Sequence, residues 1–327
     1  MRTWIGRRGF GAGAVALLAA PALGQTFSFP TRPIRMVVPF PAGGILDAVG
    51  RGLADQMSTL LGQRVIVDNR PGGGQNIGAD AVAKAAPDGH TMLLCSMPVF
   101  STNRLLYRRL PYNVDSDLAA LALVAQTVET VLVPAAFPAR SLTDLVAEAR
   151  AHPGRLNYAS FGLGSDAHLA MELLQRQTGT RFEHVPFRGQ ADAFTALLAN
   201  DVQVLITAHG AALPHIEGGR LRALAVLHTE RQATLPGVPT SAEAGFPDLL
   251  WNATFLTATT AGTPEPAQRA LAEAVQRVVA SAEFRERFLV PIGLLPLAGS
   301  MAEARAAIIA ARERSDRLVR DLGIALD

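Results

Sequence analysis

Along most of this chain, short apolar runs alternate with amphipathic stretches, and the apolar runs tend to end in small residues. Ile34–Phe40 leads into Pro41-Ala42-Gly43-Gly44 and then Asp47; Leu156–Ser160 leads into Phe161-Gly162-Leu163-Gly164-Ser165 ahead of a helical stretch. Strand, small-residue turn and helix make a βα unit, and repeated βα units imply a mainly parallel sheet with helices on both faces. Further strand-like runs are Val65–Asn69, Thr91–Ser96, Leu121–Gln126, Thr130–Pro134, Phe182–Pro186, Val202–Thr207, Leu221–Leu227 and Thr254–Ala258. Ser141-Leu142-Thr143-Asp144 has the form of a helix-opening capping box, with Asp in place of the preferred Glu. From about Pro266 the sequence reads as two long helices rich in Ala and Arg.

The small-residue turns aim bare backbone N–H groups, and the positive end of a helix dipole, at an anion. They are not nucleotide loops. Gly73 and Gly78 have phosphate-loop spacing, but Ala79-Asp80 stand where a Lys and a Ser or Thr are needed. Gly162-Leu163-Gly164-Ser165-Asp166 is out of register for a nucleophile elbow. The histidines lack metal-ligand spacing, and Ser165, Asp166 and His168 crowd one helical turn, too close to form a triad. The pattern points to capture of a small carboxylate, with no cofactor, no metal and no catalysis.

Residues 1–24 read as a cleaved export signal. Arg2, Arg7 and Arg8 form a basic start, Ala12–Ala20 an apolar run too short to span a bilayer, and Ala22-Leu23-Gly24 a small-residue cleavage site. Arg7-Arg8-Gly9-Phe10 leaves two export routes open, Sec and twin-arginine. Cleavage removes three of the 30 basic residues and none of the 28 acids, turning a formal charge of +2 into −1. The basic character of the full chain therefore owes much to the leader, and nucleic acid is excluded as a partner. No later stretch approaches a membrane span, so the mature protein is expected not to be membrane-embedded. Cys95, the single cysteine, precludes an internal disulfide and reads as a buried strand residue.

Nine motifs in order then carry a resemblance. They begin with Phe29-Pro30-Thr31-Arg32-Pro33-Ile34-Arg35, Val38–Gly44 with Asp47, and Val67-Asp68-Asn69-Arg70-Pro71-Gly72-Gly73-Gly74 with Ile77-Gly78. Ala85–Thr91, His152–Ser160, Gly164-Ser165 with His168-Leu169, and His184–Gly189 follow. Leu221–Val226 and Leu235–Thr240 complete the set. The chain resembles solute-binding receptors of the tripartite tricarboxylate transporter type, the Bug family. The resemblance covers almost the whole mature chain. It implies a two-lobed α/β periplasmic-binding-protein fold of type II-like form, with a ligand cleft between the lobes. It also implies a periplasmic location, a monomer, and delivery of the solute to membrane permease subunits. The rival readings are a sensor of the same fold signalling to a membrane kinase, and an exported enzyme. We expect the first lobe at residues 25–126 plus 225–327 and the second at 127–224.

In proteins that this chain resembles, the Pro41–Gly44 and Ser160–Ser165 turns face the ligand. The expected site is therefore Phe40, Ala42 and Gly43 from one lobe, with Asp47 orienting the loop or fixing a water. From the other come Ser160, Gly164, Ser165, Arg188 and Gly189. Ser165 doubles as a helix N-cap, and Ser96 is a further candidate at a strand end. Thr207 stands where relatives often carry an acid, so simple carboxylates are expected and amine-bearing ligands disfavoured. Gly74-Gln75-Asn76 departs from the more glycine-rich lip of relatives.

Overall fold

The computed structural model describes Met1 and residues 28–322; the expected export signal falls on residues outside this range. Its strands are β1 (Ile34–Val38), β2 (Val65–Asn69), β3 (Thr91–Ser96), β4 (Leu118–Thr127), β5 (Glu129–Pro134), β6 (Asn157–Ser160), β7 (Glu183–Pro186), β8 (Val204–Ala208), β9 (Leu221–Val226), β10 (Thr254–Thr260) and β11 (Leu294–Gly299). They form two sheets, in the orders β11-β4-β10-β3-β1-β2 and β7-β6-β8-β5-β9.

The two-lobed α/β architecture expected from the sequence is present, but each sheet is mixed rather than mainly parallel. The parallel pairs are β1 with β2 and β3, and β6 with β7 and β8. These are the strands joined through helices. The strands on either side of a passage between lobes, β4, β5, β9 and β10, pair antiparallel to neighbours within their own sheets. They need no helical crossover, and so escape the constraint that makes βα units parallel.

Helix Ile45–Leu61 buries Leu46, Val49, Leu53 and Met57, a stripe one or two turns apart, and stops at Gly62 in the left-handed conformation. That stripe packs with Leu271, Val275 and Val278 of helix Glu265–Ala280 against Ile34, Met36 and Val38. The opposite face of the sheet is covered by helices Asn76–Ala83 and Met301–Leu322, through Ala79, Val82, Ala304 and Ile308. Burying a side chain such as Leu53 contributes about 1.5–3 kcal/mol. In the second lobe, helices Leu142–Ala151 and Asp166–Thr178 cover one face and Gln190–Leu198 the other. The expected box at Ser141 and Asp144 forms, each side chain bonding the other's backbone N–H.

Two differences from the sequence reading matter. First, the two long helices expected from about Pro266 are separated by β11, a strand the sequence reading did not mark. Val290–Ile292 and Gly293 break the helical run, and the edge strand that follows carries Pro296 and a positive φ at Ala298. Such residues are tolerated at an edge and hide the strand from pattern reading. Second, the boundary expected between residues 224 and 225 falls inside the second lobe. Leu227, Leu249 and Trp251 pack in that lobe's core, and we place the return passage at Asn252–Ala253. The outward passage is at Val128, between β4 and β5. The two passages are tied together: Thr127 N–H donates to the Ala253 carbonyl at 2.8 Å, and Ala253 N–H to Thr127 Oγ1 at 2.8 Å.

Candidate functional site

Gly43 is exposed with a φ of 84°, and its N–H donates to Asp47 Oδ2 at 2.9 Å. Arg51 Nε donates to the same oxygen at 3.0 Å, and Asn69 Nδ2 donates to Asp47 Oδ1 at 3.0 Å and to the Phe40 carbonyl at 3.1 Å. Burial opposes the Asp47 charge, yet Arg51, the Gly43 N–H and Asn69 together hold its carboxyl below the usual carboxylate range. Asp47 is thus an internal acceptor that shapes the Phe40–Gly44 turn, and Gly43 spends its donor on it. The donors left over are the N–H groups of Gly44, Ile45, Leu46 and Asp47, which bond to no described residue. They open helix Ile45–Leu61, whose N-cap, Gly44, supplies no side chain. Ala42 is exposed beside them, and Phe40 is half-buried.

The second turn is braced from behind. Tyr158, His184 and His168 stack, with ring centroids 4.8 Å and 4.5 Å apart in sequence. His184 Nε2 lies 2.6 Å from Ser160 Oγ, and Gly164 N–H donates to His168 Nδ1 at 3.1 Å. Ser165 caps helix Asp166–Thr178 by accepting from His168 N–H at 3.4 Å, and its hydroxyl donates to the Gly162 carbonyl at 2.7 Å. Burial lowers His168 to about 4; burial, then the neighbouring His168, lowers His184 to about 4. Both rings are therefore neutral at pH 7. Ser160 is fully buried and its imidazole partner is a poor base, so the pair is a brace and not a nucleophile with its activator.

Gly189 begins helix Gln190–Leu198 in fully extended conformation, without a side-chain cap and with open space where a Cβ would stand. The N–H groups of Gly189, Gln190, Ala191 and Asp192 bond to no described residue. Arg188 is exposed and makes no hydrogen bond or ion pair among the described residues. Thr207 is buried and accepts from Gln190 Nε2 at 3.3 Å. Thr130, opposite Thr207 in the β5–β8 register, has a buried hydroxyl without a partner among the described residues.

Sequence reasoning did not find two acids here. Glu129 is buried at the outward passage, where the Thr127 hydroxyl donates to it at 2.5 Å. Burial, with Asp166 adding, raises it to about 8 despite that bond; burial raises Asp166 to about 7. Their only sequence signal is position, Glu129 beside a passage and Asp166 in a helix's first turn.

Away from the passages the lobes also meet among the described residues, Leu295 of β11 packing with Val226 and Leu235 of the second lobe. A Cβ on Gly164, whose φ is 75°, would lie 2.3 Å from Leu106 Cδ1 of the first lobe. A Cβ on Gly210 would lie 1.8 Å from the Ile292 carbonyl oxygen, so the second lobe's His209–Ala212 turn rests on first-lobe backbone. Only glycine permits either approach. We read these contacts as a closed arrangement of the lobes. Two surface grooves, of about 360 Å³ beside Pro33 and Asp68 and about 300 Å³ beside Arg104 and Asp115, are lined by the first lobe alone.

The sequence profile of the tripartite tricarboxylate transporter family receptor matches residues 49–324. The chain belongs to that family. Among curated relatives, BugT of Bordetella pertussis is 36% identical over 96% of this chain and 95% of its own. A Pseudomonas protein from the tcbD-tcbE intergenic region is 40% identical over 86% of this chain and 84% of its own. Among solved structures, a Rhodopseudomonas palustris protein with adipate superposes at a TM-score of 0.85, with 33% identity, covering 91% of this chain and all of that one. MatC of the same organism, with bound malate, gives 0.80 at 31% identity, covering 89% of this chain and all of that one. The tripartite tricarboxylate receptor described here is a solute-binding protein of the Bug type, in a family of receptors rather than enzymes. Among its described residues no helix is long and apolar enough to cross a membrane.

Proposed function

We propose that this receptor works in the periplasm, captures a small carboxylate between its lobes and delivers it to the permease subunits of a tripartite transporter. The observation that carries this reading is a pair of helix N-termini, one in each lobe. Helices Ile45–Leu61 and Gln190–Leu198 both open from glycine, lack a side-chain cap and keep their first N–H groups free. Such termini favour a carboxylate by hydrogen bonding and by dipole. Arg188 adds a cation unpaired among the described residues of the second lobe, and Ala42, Ser160, Gly164 and Ser165 shape the two turns. The relatives holding adipate and malate support the ligand class.

Ligand that touches both lobes favours the closed arrangement, the form the membrane partner is proposed to recognise. A melting-temperature screen against mono-, di- and tricarboxylates, aromatic acids and amino acids tests the reading, since ligand bound to the native state raises the midpoint. Upward shifts confined to acids without an amine are expected. A folded protein unmoved by every carboxylate would refute it.

A further inference from the structure

Gln75 is a non-glycine residue in the left-handed conformation, with φ 77° and ψ −4°. Glycine is the default there, and a long side chain costs about 1–2 kcal/mol in strain. The surrounding lip is firmly held. Asn103 Nδ2 donates to the Gly74 carbonyl at 2.8 Å and to Asn76 Oδ1 at 2.7 Å, and the Tyr112 hydroxyl donates to Asn76 Oδ1 at 2.9 Å. A Cβ on Gly78 would meet Pro39 at 2.8 Å, so the following helix lies against the residue before Phe40. The lip is docked, and the strained residue lies at the end of β3.

The strain puts the Gln75 amide onto Ser96, the last residue of β3. Ser96 N–H donates to Gln75 Oε1 at 2.9 Å, and Gln75 Nε2 donates to Ser96 Oγ at 2.5 Å. The backbone N–H can only donate, so it fixes which end of the amide is oxygen. Nε2 therefore spends one hydrogen on Ser96 and keeps a second with no partner among the described residues. Ser96, a candidate at the strand end in the sequence reading, is buried and bonds the amide through both its N–H and its hydroxyl. The groups offered at the carboxyl edge of the sheet are those of Gln75.

We propose that Gln75 is a ligand-binding, specificity-determining residue of this receptor, presenting a neutral, orientation-locked N–H to a carboxylate oxygen, with Ser96 as its positioning residue. The proposal rests on the carboxylate reading above and adds to it. The amide is a donor that pH does not titrate, and it fills space that a glycine would leave to a bulkier ligand. A carboxylate held by the first turn of helix Ile45–Leu61 then gains a side-chain donor from the lip.

The test compares the wild type with Gln75→Glu, Gln75→Gly and Ser96→Ala, by calorimetric titration with the carboxylate giving the largest melting shift among adipate, malate and their C4–C6 homologues. Gln75→Glu keeps the acceptor for Ser96 N–H and the side-chain shape, but replaces the free donor by a negative charge. Affinity is expected to fall at least 100-fold. Gln75→Gly loses one hydrogen bond to a charged group, an expected fall in affinity of about 10- to 100-fold; it relieves the left-handed strain but strips the buried Ser96 N–H of its acceptor, so the two effects on the melting of the unliganded protein oppose each other. Ser96→Ala should give a smaller loss. Gln75→Glu that folds and binds within threefold of wild type overturns the role of Gln75 and leaves the receptor reading standing. A wild type that binds no carboxylate overturns both. Should Gln75→Glu not fold, unchanged affinity in Gln75→Gly is by itself refuting.

Discussion

Gly164→Ala tests whether the closed arrangement is the ligand-bound one. The added Cβ would stand 2.3 Å from Leu106 Cδ1, where carbon atoms in contact sit about 3.5–4 Å apart. Leu106 is buried to 99%, at 1% exposure, so it has little room to give by the ångström or more required. Overpacking of this kind costs about 1–3 kcal/mol. That cost falls only on the closed form, because Gly164 and Leu106 belong to different lobes. The left-handed strain of an alanine at φ 75°, about 1–2 kcal/mol, is present open or closed and lowers stability without entering the affinity. Ligand that selects the closed form must then supply the clash energy, so Kd should rise roughly 5- to 150-fold. Titration of wild type, Gly164→Ala, Leu106→Ala and the double variant forms a cycle. The double variant should bind within about threefold of Leu106→Ala alone. Additive losses, or Gly164→Ala with unchanged Kd, would refute the reasoning. Solution scattering gives a second readout: ligand at a concentration that saturates wild type should compact it more than the variant.

Asp47→Ala should lower stability by about 1–3 kcal/mol, because it strips a buried acceptor from Gly43, Arg51 and Asn69. Its contribution is complete above the unfolded carboxylate value near 4 and is lost as pH falls through the depressed folded value, so denaturant midpoints of wild type and variant should converge in acid. His168 and His184 also have lowered values, so their neutral forms support the fold fully above about 6.5, and stability should decline from there towards pH 4. A His184→Gln variant with an equally steep decline would count against that assignment. Thr207→Asp should weaken simple carboxylates and admit amino acids in the melting screen; amino-acid binding by the wild type would sink the Thr207 argument.

The strands that end at the cleft were legible because their signals are local. β2 and β3 run over the residues the apolar pattern marks, and Asp47 lies only four residues from the N–H it accepts. β11 was not legible, since Pro296 and the left-handed Ala298 erase a strand signature that its pairing with β4 restores. The site divides in the same way. The small-residue turns announce themselves, whereas Asn69 holds Asp47 across 22 residues and Gln75 reaches Ser96 across 21. Pairings of that kind leave no periodic trace. The return passage was set too early because Leu249 and Trp251, in a stretch without strands, are buried by a lobe that only the fold reveals.

The discontinuous first lobe has a consequence for the order of assembly. β10 inserts between β3 and β4, with Thr257 bonding the Ala122 carbonyl 135 residues away. Helix Met301–Leu322 then covers the same sheet, with Thr102 meeting Ser315 and Arg312 donating to the Phe100 carbonyl. Everything that builds the other sheet lies between Glu129 and Trp251. A chain emerging from its N-terminus can therefore complete the inserted lobe while the enclosing one still lacks its central strand. Loop-closure entropy favours that sequence of events. For a stretch of its synthesis the receptor is half a trap on a raw apolar sheet, the stage at which proteases and chaperones have most to grip.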